Sequence, residues 1–188
     1  LIISEILSSE FVGEGVQNTI LDAKKRLLKK DGKMLPEAGE IKLALLKRTQ
    51  ELQEELFADL INGYDLSDFN EVTGNKLYTQ KKHIRTSFLS DEQVAFSFNF
   101  YSNEIRKRQE KILEIHVLKN GICLGLITWI KLNLYKDIFL DNHPILSNSS
   151  HWINPIYTFK KPLKVSRGEI LKIKATLLED NVWFELIE

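Results

Sequence analysis

Two glutamates near the start of the chain have the residue type and the spacing for chemistry. Glu5 follows the short apolar run Leu1 to Ile3, and Glu14 comes nine positions later between Gly13 and Gly15. Two carboxylates on one loop suit a guanidinium, because its planar fork of N–H donors takes paired charge-assisted hydrogen bonds. The flanking glycines allow a tight turn. The alternative is that both glutamates are ordinary solvated loop acids.

The elements around these glutamates indicate the end of an α/β unit. The apolar run before Glu5 is typical of a buried parallel strand reaching the carboxyl edge of its sheet, where open α/β sheets bind ligands. A helix is predicted over 16–29, because apolar residues recur at helical spacing and basic residues crowd the last turn. Asp31-Gly32 is expected to close it. A strand is predicted over 40–46.

A second helix is predicted over 47–62, with Gly63 expected to end it. Its apolar residues fall on one face, and Gln and Glu fill the other. Two roles for the apolar face stay open. The face either packs on the core or projects and docks on a second copy of the chain.

From Lys76 onward the apolar pattern changes to a period of two. Strands are predicted at 94–100, 114–118, 121–134, 155–159, 170–177 and 182–187. Several strands in succession without helices predict an antiparallel barrel or sandwich. The chain is therefore predicted to be α+β.

Charge excludes some classes of partner. The 26 basic side chains are balanced by 26 acidic ones. Binding to nucleic acid or to a membrane surface usually shows as a basic excess, so neither partner is expected. No stretch is apolar for long enough to span a bilayer, and we expect no leader segment.

Motifs for several enzyme classes are missing from the sequence. The histidines lack the close pairing of a zinc site, so no metal is expected. No nucleophile elbow, phosphate loop or dinucleotide fingerprint is present, which argues against hydrolase, NTPase and dehydrogenase functions. Cys123 is the only cysteine and lies in an apolar run, so we expect a buried hydrophobe rather than a reactive thiol. With no internal disulfide, the expected location is the cytoplasm, with the nucleus as the second choice.

The order of these features resembles the carboxyl-terminal part of the protein arginine methyltransferases. In that family a strand ends in Ser-Glu and starts the double-E loop, whose glutamates are nine apart; the counterparts here are Ser4-Glu5 and Glu14. The stretch Gly63-Tyr64-Asp65-Leu66-Ser67 is similar to the family's Gly-Phe-Asp-x-Ser stretch, which follows its dimerisation arm. Ser150-His151-Trp152 is similar to its Thr-His-Trp loop, with the hydroxyl kept.

The resemblance implies a division into two parts. Residues 1–33 would be the end of a Rossmann-like methyltransferase domain that uses S-adenosylmethionine. Residues 34–188 would be an antiparallel β-barrel that binds the substrate, with a helical arm inserted at about 47–70.

The resemblance also implies roles for individual residues. Glu5 and Glu14 would be catalytic, clamping the guanidinium of a protein arginine. Ser150, His151 and Trp152 would line the substrate side of the pocket. A homodimer would form through the arm, using Leu52, Leu56, Phe57 and Leu60.

The implied methyl donor is S-adenosylmethionine, with no metal. The family binds it through a glycine-rich turn and an acidic residue that would both lie upstream of Leu1. No donor-binding residue is therefore expected within this chain, and the chain alone is not expected to turn over.

Two other functions stay open at this point. One is a non-catalytic interaction or dimerisation module of the same fold. The other is a carbohydrate-binding jelly roll with Trp129, Trp152 and Trp183 as its stacking platform, although the helical first quarter has no place in that architecture.

Overall fold

The fold is seen in a computed structural model that describes residues 1–79, 88–102, 108–146 and 151–187. Short helices belong to the first part of the chain, and long strands form the rest. In chain order the elements are β1 (Ile2–Ile3), α1 (Val16–Leu27), β2 (Met34–Leu35), β3 (Ala38–Lys47), α2 (Gln50–Leu56), β4 (Leu60–Ile61), β5 (Tyr64–Asp65), α3 (Phe69–Val72), β6 (Lys76–Thr79), β7 (Gln93–Asn99), β8 (Arg108–His116), β9 (Gly121–Tyr135), β10 (Ile138–Asp141), β11 (Asn154–Val165), β12 (Ile170–Leu178) and β13 (Asn181–Ile187).

The first unit is a parallel strand pair joined through a helix. Strand β1 pairs in parallel with β2, and α1 lies between them in the chain. This arrangement confirms the predicted parallel pairing of the strand before Glu5, but the strand is not buried as predicted, because Leu1 is 76% and Ile3 is 72% exposed. The predicted end of the helix was wrong: Leu28 is already extended (ψ 121°), and its N–H donates to the Ala23 carbonyl. Gly32 therefore does not close α1.

The second unit is an antiparallel barrel, one of the two architectures that the change of period predicted. One sheet has the strand order β6-β11-β9-β3-β7, with β10 also paired to β9, and the other has the order β13-β12-β8. The 15-residue strand β9 pairs with both β3 and β11, so it forms the middle of the larger sheet.

One hydrophobic core joins the two units. Phe11, Val16 and Ile20 from the first unit belong to the same buried cluster as Ile41 and Phe96 from the barrel. Because these side chains share one interior, the loop that carries the two glutamates is packed directly against the barrel.

The arm after β3 is not one continuous helix, so the prediction for 47–62 was wrong. Helix α2 starts after Thr49, whose side chain accepts from the Leu52 N–H, and it ends at Leu56. The next residues form the hairpin β4–β5. Asn62 (φ 51°) and Gly63 (φ 84°) are both left-handed at its turn, the conformation that a two-residue hairpin loop prefers.

The three tryptophans do not form an exposed platform. Trp129 is fully buried, Trp152 is 8% exposed, and Trp183 packs against the core. A carbohydrate-stacking surface needs open aromatic faces, so the jelly-roll interpretation was wrong.

No helix in the described part of the chain combines the length and the apolar character needed to cross a membrane.

Candidate functional site

The first predicted glutamate lies at the carboxyl edge of the parallel pair. The Ser4 N–H donates to the Leu35 carbonyl at 2.9 Å, which continues the pairing of β1 with β2 by one bond. Glu5 comes next, and its side chain is 69% exposed. We call residues 4–15, which run from this edge to the start of α1, the carboxylate loop.

Phe11 anchors the carboxylate loop in the barrel. Its ring is fully buried and stacks on Phe98, with the ring centroids 4.3 Å apart, and on Phe100 at 5.7 Å. The backbone of Phe11 is left-handed, with φ 72°. A bulky residue adopts this conformation only where the surrounding packing compels it, and such strain collects at functional sites.

Ser8 closes the turn that contains Phe11. Its hydroxyl accepts from the backbone N–H groups of Glu10 and Gly13, each at 3.2 Å. The Phe11 N–H donates to the Ser8 carbonyl at 2.9 Å. A Cβ at Gly13 would lie 2.7 Å from the Ser8 hydroxyl oxygen, so this close approach requires a glycine.

The second predicted glutamate lies where the loop turns into α1. Glu14 (φ 63°) and Gly15 (φ 68°) are consecutive left-handed residues, and the Glu14 side chain is exposed. Val16 and Ile20 are buried directly after them, which fixes the start of the helix. The carboxylate at Glu14 is thus held by a strained bend rather than by a flexible tail.

The barrel brings His151 and Trp152 against the same loop. The Trp152 indole N–H donates to the Leu7 carbonyl at 2.9 Å, and the Ile153 N–H donates to the Ser9 hydroxyl at 3.2 Å. His151 lies beside Trp152, with ring centroids 4.8 Å apart, and its Nε2 is 3.8 Å from a carboxylate oxygen of Glu5.

The structure therefore places most of the predicted site residues at one loop. Glu5 and His151 face each other, and both side chains are exposed. Glu14 is exposed further along the same loop. Trp152 is mostly covered, so its described contacts support the loop. Ser150 lies outside the described residues, and the catalytic and binding roles of all five stay predictions.

Glu10 belongs to this region and was missed by the sequence analysis. Its carboxylate forms an ion pair with Lys76 and accepts from the Tyr157 hydroxyl at 3.0 Å. Burial raises the pKa of Tyr157 well above its ordinary value, and the charge of Glu10 raises it further. The available signal was that Glu10 directly precedes two apolar residues, Phe11 and Val12, which carry it toward the barrel.

The apolar residues of the arm divide into a packed set and an exposed set. Leu52 is buried in a cluster with barrel residues, and Leu56 and Phe57 pack against that cluster. Leu60 is 69% exposed. The helix thus takes the first of the two roles left open, while the region beyond it presents apolar side chains to solvent: Leu60, Ile61, Tyr64, Phe69 and Val72.

Asn70 holds the exposed part of the arm in a closed shape. Its side chain accepts from the Ala58 N–H at 2.8 Å and donates to the Ala58 carbonyl at 2.6 Å. These two bonds join the ends of a segment that contains the hairpin β4–β5, so the exposed apolar residues lie on a defined structure.

Among the described residues, no group of three or more His, Cys, Asp or Glu side chains is placed to hold a metal ion.

Comparison with protein families gives a match over most of the chain. Residues 52–187 match the family model described as the PRMT5 oligomerisation domain. The match begins within α2, after the carboxylate loop, and it includes the rest of the arm and the barrel strands from β6 to β13.

Curated relatives match a longer stretch. An Arginine N(omega)-methyltransferase from Streptomyces achromogenes subsp. streptozoticus is 27% identical over 175 residues, covering 93% of this chain and 48% of its own length. The Histone-arginine methyltransferase CARMER of Drosophila ananassae is 25% identical over 196 residues, covering 96% of this chain and 36% of its own. The chain thus spans less than half the length of these two relatives.

A solved structure has the same fold. The chain superposes on a Trypanosoma brucei protein, described as the PRMT1 enzyme-prozyme heterotetrameric complex with AdoHcy, with a TM-score of 0.76. The identity is 20%, and the match covers 97% of this chain and 61% of that one.

Proposed function

We propose that this chain, which belongs to the protein arginine methyltransferase family through its C-terminal region, forms the acceptor side of an arginine N-methyltransferase. One observation carries the proposal. Exposed carboxylates lie on a loop that the barrel holds in a strained bend, and His151 of the barrel faces Glu5 across it.

The chain's own residues bind and orient the acceptor. Glu5 and Glu14 accept hydrogen bonds from the guanidinium and draw its positive charge toward the nitrogens they contact. The remaining nitrogen is left more nucleophilic and is held in one direction. A fixed approach of this kind lowers the entropic part of the barrier to methyl transfer.

The residues of the carboxylate loop do not suit the methyl donor. S-adenosylmethionine supplies the methyl group when bound, and its adenosine needs open apolar or aromatic surface. The aromatic rings at the carboxylate loop are committed to packing, since Phe11 is fully buried and Trp152 is 8% exposed. The loop therefore fits a guanidinium and not an adenosine, and we assign no donor-binding residue to this chain.

The proposed acceptor is arginine within a protein. One relative is named as a histone-arginine methyltransferase and another as an arginine Nω-methyltransferase, so both names share the guanidinium. The exposed Glu5 and His151 lie at an open surface that a polypeptide can reach.

A transfer assay tests the proposal. The complete polypeptide would be incubated with S-adenosylmethionine labelled in the methyl group and with three acceptors: an arginine-rich protein, the same protein with lysine in place of arginine, and free arginine. We expect methylarginine in the first only. Label on free arginine alone would overturn the choice of a protein acceptor. No methylarginine in any of the three reactions would overturn the enzyme assignment.

One observation favours a second function, that of an oligomerisation module without catalysis. The matched family model is an oligomerisation domain and begins at residue 52, after both glutamates. Titration of the complete polypeptide with S-adenosylmethionine separates the two functions, because a module that only assembles has no need to bind the donor.

Oligomerisation itself is a property of the matched domain family. We propose a homodimer formed through the exposed apolar residues of the arm, Leu60, Ile61, Tyr64, Phe69 and Val72. The location we propose is the cytoplasm or the nucleus, because the single cysteine of this chain is suited to a reducing compartment.

A further inference from the structure

We propose that Glu10 is a positioning residue, which fixes the carboxylate loop to the barrel through Lys76 and Tyr157 and so sets where Glu5 and Glu14 point. This inference rests on the proposed function. It goes beyond it by assigning a role to a third acid, one that lies between the two predicted catalytic glutamates.

Glu10 is held from two directions. Its side chain is 14% exposed, and one carboxylate oxygen takes both the Lys76 ammonium and the Tyr157 hydroxyl, the latter at 3.0 Å. A charged acceptor binds such donors more strongly than a neutral one. We call these three residues the Glu10 anchor.

The partners of Glu10 belong to two paired strands of the barrel. Tyr157 is 1% exposed on β11, and its ring meets Phe184 edge-on with the ring centroids 4.9 Å apart. Its hydroxyl also lies 2.9 Å from the Val182 carbonyl. Lys76 begins β6, which pairs with β11 at this point, since Lys76 is opposite Tyr157. The anchor therefore connects the loop to two paired strands.

Glu10 lies inside the turn that determines the loop's shape. Its N–H donates to the Ser8 hydroxyl at 3.2 Å, and its carbonyl accepts from the Val12 N–H at 2.9 Å. Glu5 lies before this turn and Glu14 after it. A shift of Glu10 would therefore be passed to both exposed carboxylates.

The anchor is separable from the fold. Without the charge on Glu10, the Phe11 ring stays stacked on Phe98 and Phe100, and the single O–H of Tyr157 can turn to the Val182 carbonyl as its acceptor. Lys76 is 29% exposed at its side chain, so water can take its ammonium. Glu10→Gln keeps the shape of the side chain and should leave the protein folded.

The first measurement compares Glu10→Gln with the wild-type complete polypeptide in amide hydrogen exchange. We expect faster exchange at residues 6–14 and unchanged exchange in β9. The matched control is Glu114→Gln, which removes a carboxylate from a surface ion pair with Lys172 on the barrel. Equal exchange of residues 6–14 in Glu10→Gln and wild type would overturn the proposal, whatever the enzyme assay shows.

The second measurement separates positioning from a general loss of folded protein. We expect Glu10→Gln to lower kcat/KM for the arginine-bearing acceptor by about 10-fold to 100-fold, the scale of a small misplacement at a reacting centre. The acceptor KM should rise while the donor KM stays at the wild-type value. A fall in kcat with both KM values unchanged would indicate fewer active molecules and would overturn the positioning role.

Exchanging the charges of Glu10 and Lys76 tests whether acceptor use can be restored. Lys76→Glu alone should weaken acceptor use, and the double variant Glu10→Lys with Lys76→Glu should recover part of it, because the ion pair is restored in reverse. Purely additive losses would contradict the anchor. A wild-type protein with no methyl transfer would overturn the proposed function, while the exchange measurement would still decide whether Glu10 fixes the loop.

Discussion

Gly39 on β3 lies directly under the ring of Phe11. A Cβ built at Gly39 would come within 2.2 Å of Cε2 of Phe11, so the ring occupies the volume that any other residue would need. Strand β3 places Gly39 opposite Phe98, the ring on which Phe11 stacks. The barrel thus leaves a gap in one strand for a side chain of the carboxylate loop.

Gly39→Ala should displace the Phe11 ring and loosen the loop. We expect a loss of about 1–3 kcal/mol in the free energy of unfolding, as for other overpacked cores, and a drop in transfer activity. Thermal and denaturant unfolding check the first effect. The control is Gly74→Ala, because a Cβ at Gly74 meets nothing within 4 Å. Equal stability of both variants would show that the ring can move aside at no cost.

Glu14→Gln should remove acceptor binding while the fold survives. The side chain is exposed, so the change alters charge with little effect on packing. Loss of a hydrogen bond to a charged group costs about 1.5–3 kcal/mol, which predicts a fall of roughly 10-fold to 150-fold in kcat/KM for the acceptor. Glu185→Gln, an exposed acid on β13, is the control. Near-normal turnover in Glu14→Gln would count against the guanidinium clamp.

Leu60→Asp should weaken self-association of the complete polypeptide. Leu60 is 69% exposed on the arm, so an aspartate in its place adds a charge to the exposed apolar surface. If it is central to the interface, the dimer Kd should rise by about 30-fold or more. Sedimentation over a range of concentrations measures this, and Ile112→Asp, at a 61% exposed position on β8, serves as the control. An identical sedimentation profile for the two variants would show that the dimer interface does not include Leu60 of the arm.

Cys123 should not react in the folded protein. The thiol is buried, and burial raises the pKa of Cys123 to about 12. At pH 8, about one thiol in 10⁴ is then ionised, and the thiolate is the reactive form. We expect no iodoacetamide label on the peptide containing Cys123 under native conditions, and full label after denaturation. Rapid native labelling would mean that the β3–β9 region opens.

Most of the fold followed from apolar periodicity. The predicted strand 121–134 is β9 (Gly121–Tyr135), and strand β1 pairs in parallel as expected. The prediction of one helix over 47–62 was wrong because the apolar spacing of the arm suits both a helix and a short hairpin. The turn at Asn62-Gly63 decides between them, since both residues take positive φ.

The site was only partly accessible from sequence. The spacing of Glu5 and Glu14 indicated them as site residues, because both lie on one short loop. The partners of Glu10 lie far along the chain, at Lys76 on β6 and Tyr157 on β11. No local pattern reports such contacts, because they depend on which strands become neighbours in the barrel.

The fit of Phe11 into the gap at Gly39 has a consequence for protein engineering. A chimera that exchanges the carboxylate loop of this chain would exchange Phe11 with it, and the strand that carries Gly39 must then be matched to the new side chain. In such a chimera, the Phe11 ring and Gly39 should therefore be taken from the same parent protein.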